Sequence, residues 1–118
     1  MKKYEEKIRK FHSDQKGFVF IESFCLERTL MYDRCIDCNL KITLRSRPFD
    51  EMDKKLCILF KGIKDIKIKD VGGMFTWLLI ISDISDHQLE DINFHVKDSE
   101  EEVILFYCKS FEYEFVFP

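Results

Sequence analysis

With 118 residues, 46% of them hydrophobic and 14% aromatic, the chain has the apolar material for one ordinary domain with one core, which excludes an intrinsically disordered protein. Two Pro and four Gly are scattered without any linker-like stretch, so residues 1–118 read as a single domain. The net charge of −3 is unevenly placed, since residues 1–70 hold 17 Lys/Arg and 12 Asp/Glu while residues 71–118 hold ten Asp/Glu and two Lys, and no apolar run approaches the length of a membrane span.

The opening Met1-Lys2-Lys3-Tyr4-Glu5-Glu6-Lys7 is charged and no signal-peptide core follows it, so a cytoplasmic location is expected. Tyr4, Ile8 and Phe11 then recur at helical spacing and predict one short N-terminal helix. After Gly17 the period becomes that of strands. Residues 18–30 form a Phe/Val/Ile-rich strand, and Leu40, Ile42 and Leu44 alternate with Lys41, Thr43 and Arg45 as a half-buried one. The polar segment 33–39 is expected to turn between them. Residues 47–50, with Pro48, break the pattern because proline cannot donate to a ladder.

Strands at 56–60 and 63–69 follow, separated by Gly62, and Gly72-Gly73 signals a turn. Residues 74–81 are apolar on both faces and predict the most buried, central strand. A polar connection at 83–88, with one helical turn, leads to a strand containing Ile92, Phe94 and Val96. A turn at 98–101, an apolar strand at 103–108 and a last alternating strand through Phe111, Tyr113, Phe115 and Phe117 complete the chain. The expected fold is α+β, a short N-terminal helix followed by about eight mostly antiparallel strands forming a twisted sheet or sandwich.

Residues with chemical potential do not form a recognisable catalytic pattern. Cys35-Ile36-Asp37-Cys38 has no second close pair to complete a structural zinc site, and it lies between strands instead of at a helix start that would activate a thiol. The five cysteines (Cys25, Cys35, Cys38, Cys57, Cys108) are odd in number, and three lie in apolar segments; a reduced set is expected. His12, His87 and His95 are far apart, and no phosphate loop, nucleophile elbow or zinc-binding His pair is present. No enzyme activity, cofactor or metal is therefore expected.

Two charged sets remain. Lys54, Lys55, Lys61, Lys64, Lys67 and Lys69 form a basic tract, which supports an alternative reading as a small nucleic-acid or regulatory binding protein. The acidic set is Asp98, Glu100, Glu101, Glu102, Glu112 and Glu114, the first four in and beside one turn and the last two on one strand face. A negative field of this kind steers a basic partner and speeds encounter. Tyr107 and Tyr113 lie close by as candidate anchors.

Three segments also carry a resemblance. Residues 56–66 (LCILFKGIKDI) resemble an L-x-F-x-G-V-x-x-L pattern, residues 88–100 (QLEDINFHVKDSE) resemble Q-L-E-G-I-x-Y-x-V-x-D-x-E, and residues 106–111 (FYCKSF) resemble F-x-C-K-D-F. Asp91 stands where the pattern has Gly, and Ser110 where it has Asp. Together these segments are similar to small bacterial immunity-type proteins encoded beside polymorphic or contact-dependent growth-inhibition toxins. The resemblance implies a cytosolic inhibitor, without catalysis, that binds the C-terminal toxin domain of its cognate partner. It further implies a basic nuclease cleft as a target for the acidic set.

Overall fold

Tyr4, Ile8, Phe11 and Gln15 lie on one helical stripe, and α1 (Glu5–Gln15) forms on it, with Glu5 and Glu6 in the first turn where the helix dipole favours acids. The computed structural model describes residues 3–46, 54–69, 78–98 and 103–117, apart from the side chains of residues 35 and 36. The helix runs a turn beyond the stripe of Tyr4, Ile8 and Phe11 because the polar Gln15 is buried on the same face. It stops at Gly17, where φ is +86°, and the Phe18 amide donates back to the Gln15 carbonyl at 2.7 Å.

Eight strands follow among the described residues: β1 (Phe20–Met31), β2 (Arg34–Arg45), β3 (Lys55–Lys61), β4 (Lys64–Ile68), β5 (Leu79–Asp83), β6 (Phe94–Asp98), β7 (Ile104–Cys108) and β8 (Ser110–Val116). A single 3₁₀ turn at Ser85–His87 follows β5. The strands make two four-stranded sheets, ordered β1-β2-β3-β8 and β4-β7-β6-β5, with antiparallel pairing throughout. The expected α+β architecture of one helix and eight strands is therefore what the chain adopts.

The two sheets share one folded ribbon. β3 pairs with β8 in the first sheet, and their continuations β4 and β7 pair in the second. The ribbon turns the corner at Gly62 and Lys109, where the Lys109 amide donates to the Lys61 carbonyl at 2.9 Å. Gly62 has φ +69°, and a Cβ there would lie 2.9 Å from the Lys109 Cβ, so glycine is required both for the backbone angle and for the close approach.

One core cluster fills the space inside this bend. Leu40, Ile42 and Leu44 of β2 and Leu56, Ile58 and Phe60 of β3 are fully buried, as are Val96, Ile104, Phe106 and Cys108 of the second sheet. Aromatic rings join the layers edge to face, Phe60 on Phe106 and Phe94 on Phe111, each pair with centroids 5.0 Å apart. Phe11 brings α1 into the same cluster through Phe111 and Tyr113.

Two expectations need correction. The 33–39 segment is not a turn, because β2 begins at Arg34 and the reversal is confined to Tyr32 and Asp33. The described side chains at 33, 34 and 37 are exposed, because that part of the hairpin extends past β3; Cys38 packs against the core and Asn39 pairs with Lys61 of β3. The strand at 79–83 is not central but lies at an edge of the second sheet. It looks fully buried in sequence because α1 covers its open side. Residues 47–50, Gly72-Gly73, 74–77 and 99–102 lie outside the described residues.

Candidate partner-binding surface

The expected acidic residues have different environments. Asp98 is 2% exposed, and its Oδ1 accepts the Ile104 amide at 3.0 Å. It ties the end of β6 to the start of β7, flanking the connection that carries Glu100, Glu101 and Glu102, which lie outside the described residues. Glu112 and Glu114 are exposed on the outward face of β8. They border a shallow depression of about 370 Å³ lined also by Lys41, Cys57 and Leu59.

The charge on that outer face is mixed. Lys61 pairs with Glu112 at 3.1 Å, and Glu22 receives Lys55 at 2.8 Å and Arg45 at 2.9 Å. The Lys55 ammonium, followed by Arg45, holds the Glu22 carboxyl below the usual carboxylate range. Tyr113 is not an exposed anchor, because its ring packs edge-on against Phe11 at 5.1 Å and its hydroxyl donates to Asp14 at 2.8 Å. Burial, and then the Asp14 carboxylate, push that hydroxyl's pKa up to about 12. Tyr107 stacks on His95 with centroids 5.0 Å apart.

The basic tract is divided between the two sheets, and several of its members are engaged. Lys54 lies over the Phe115 ring at 4.6 Å, Lys55 and Lys61 are ion-paired, and Lys64 donates to the Glu90 carbonyl at 3.5 Å. Among the described residues no three His, Cys, Asp or Glu side chains converge as a metal-holding group. Cys108 is fully buried, and burial pushes its thiol up to about 12, where it is not a nucleophile. No described helix is long and apolar enough to cross a membrane.

The edges of the sheets differ in how they are guarded. β5 is closed by α1: Gln15 donates to the Leu79 carbonyl and accepts from its amide, both at 3.1 Å, and His12 Nε2 accepts the Ile81 amide at 3.1 Å. The Tyr4 amide adds a bond to Asp83 at 2.8 Å. β4 is short, carries Lys64 and Lys67, and is interrupted between them, all features that discourage edge pairing. The Lys7 ammonium reaches the Phe111 carbonyl on β8. β1 has neither lysine nor proline over twelve residues, and its exposure rises along its length.

At the end of β1 lies a surface that the sequence did not single out. Leu30 is 65%, Met31 51% and Tyr32 96% exposed, at the tip of a ribbon that continues past β3, since β3 reaches only Asn39 of β2. The available signal was an apolar Leu-Met-Tyr triplet running straight into a hairpin reversal, where small polar residues are the norm.

The chain matches the family model of Immunity protein PIM8 over residues 3–114. No curated protein and no solved structure matches it.

Proposed function

Because the chain belongs to the Immunity protein PIM8 family, we propose that it is a cytoplasmic inhibitor that binds the C-terminal domain of one cognate toxin and neutralises it without catalysing a reaction. Toxin neutralisation by binding a cognate toxin protein is the general role of such a family. The observation that carries the reading is the match itself, which spans all the secondary structure up to the middle of β8.

The target is a nuclease with a basic cleft, and the acidic set meets it. Supporting this are the ten Asp/Glu against two Lys in residues 71–118 and the exposure of Glu112 and Glu114 on one strand face. In this reading Glu100, Glu101, Glu102, Glu112 and Glu114 face the toxin, while Asp98 supports the connection that bears the first three. Negative charge speeds encounter with a basic cleft, whereas lasting binding needs a few desolvated anchors.

The test is co-expression with the toxin-like domain encoded immediately upstream. Growth rescue that depends on this chain, together with co-elution of the two proteins, is the expected result. Absence of rescue and of a complex would overturn the reading.

A further inference from the structure

The β1–β2 hairpin projects beyond the rest of the first sheet. From Thr29 to Met31 on β1 and from Arg34 to Asp37 on β2 the strands pair with each other, while β3 ends opposite Asn39 and the Ile63 amide donates to the Cys38 carbonyl at 2.8 Å. At about 3.3 Å per residue, the overhang reaches roughly 10 Å past that contact. A two-stranded ribbon of this kind has no third strand or core to stabilise it. All described side chains from Cys25 to Arg34 are exposed.

Three observations at its tip have no explanation within the isolated fold. Leu30, Met31 and Tyr32 are three consecutive large apolar side chains exposed to water. Tyr32 occupies the first position of a two-residue reversal with φ +59°, a left-handed conformation that costs a bulky residue about 1–2 kcal/mol and for which glycine or asparagine is the favoured choice. The register also slips between Thr29 and Leu30, and such a bulge re-aims the end of a strand. The arm thus combines aromatic, Met and Arg side chains (Tyr32, Met31, Arg28, Arg34), the residue types enriched where interfaces are fully buried.

We infer that this arm is the element that anchors the toxin, with Leu30, Met31 and Tyr32 inserted into an apolar socket on the toxin domain and the mixed charges of Glu27, Arg28, Asp33 and Arg34 meeting its rim. The inference rests on the toxin-binding reading above. A concave toxin surface fits the arm better than a second copy of this chain does. The tip is convex and offers on the order of a few hundred Å² of apolar surface, against roughly 800 Å² per partner in a stable interface. Tip-to-tip contact would leave most of each arm in water, whereas a socket encloses the tip on all sides.

Tyr32→Gly separates binding from folding, because glycine relieves the left-handed backbone while removing the ring. The full-length chain, with Tyr32→Gly and Leu30→Lys made singly and together, is measured against the upstream-encoded toxin domain by surface plasmon resonance, growth rescue and thermal melting. The expected result is a Tyr32→Gly melting temperature at or above that of the unaltered chain. Binding should weaken about 30-fold or more, mainly through faster dissociation, with rescue lost in the double variant. If the unaltered chain binds and rescues while the double variant matches it, the arm inference is overturned and the toxin-binding reading stands. If the unaltered chain neither binds nor rescues, the reading beneath it falls as well. A double variant that keeps toxin binding but turns a dimer into a monomer would identify the arm as a self-association surface, which also overturns the inference.

Discussion

His12 serves the fold only while it is neutral. Its Nε2 accepts the Ile81 amide at 3.1 Å, and a protonated imidazole has no acceptor there. Burial lowers its pKa from 6.5, so in the unfolded chain it takes up a proton more readily than in the native one. Its stabilising contribution is complete above about pH 6.5 and is lost as the pH falls through the lowered native value. Urea unfolding at a series of pH values should show the unaltered chain losing stability relative to His12→Gln, which keeps an acceptor but cannot titrate. A pH-independent difference between the two would show that His12 is not the group responsible. Asp91 illustrates the same dependence on local chemistry. The resemblance pattern has Gly at this position, and the structure shows why, since φ is +57°. Asp tolerates that region better than most residues but less well than glycine. Its ion pair with Lys109 spans 3.8 Å between exposed side chains and is worth little. Asp91→Gly should therefore stabilise the fold by about 0.5 kcal/mol once the greater unfolded-state freedom of glycine is counted, readable as a small upward shift of the urea midpoint.

At the scale of elements, α1 substitutes for a missing strand. Through Gln15 it makes both hydrogen bonds of a strand neighbour to Leu79, and through Lys7 and Asp14 it also reaches β8 of the other sheet. The helix thereby closes the open side between the β5 and β8 edges. Gln15→Leu preserves volume but strands the Leu79 N–H and C=O in a buried position, at about 1–3 kcal/mol for each group. The expected loss is on the order of 3 kcal/mol in denaturant unfolding; a loss below about 1 kcal/mol would mean that water replaces the side chain. This element also marks where sequence reading succeeds and fails. Leu40, Ile42 and Leu44 announced β2's core face because they are apolar and fully buried while the residues between them are polar, although Thr43 among these is itself buried. The stripe of Tyr4, Ile8 and Phe11 gave the helix, but a buried glutamine carries no hydrophobic signal, so the last turn of α1 was not visible. The 79–81 segment reads as central from its apolarity alone, since covering by a helix and covering by a strand produce the same composition. The projecting part of β2 was missed for the opposite reason, since its described side chains, Arg34 and Asp37, are exposed and impose no period. Of the acidic set, the outward placement of Glu112 and Glu114 followed from period two along β8, whereas the burial of Asp98 depends on the Ile104 amide meeting it in space.

At the scale of the molecule, charge and shape divide the work of recognition. On the toxin-binding proposal, the acidic surplus of residues 71–118 would act at a distance, screened over about 8 Å at physiological ionic strength, and would set how fast a basic toxin arrives. The arm, on the same proposal, would act only on contact, after Leu30, Met31 and Tyr32 have lost their water, and would set how long the complex lasts. These contributions are separable because most interface substitutions change dissociation, while charges outside the desolvated centre change association and its salt dependence. Replacing Glu100, Glu101 and Glu102 by Lys should slow association with the toxin domain about tenfold or more at low salt and flatten its dependence on ionic strength. The dissociation rate should stay within about a factor of three, since rim charges act chiefly on encounter. Tyr32→Gly should show the reverse pattern, with an unchanged salt slope and faster dissociation. Stopped-flow association at several ionic strengths, with dissociation measured by chase, resolves both. An association rate and salt slope that survive the triple charge reversal would remove Glu100, Glu101 and Glu102 from the interface. The arm would then be left as the recognition element, with the mixed-charge outer face of the first sheet beside it.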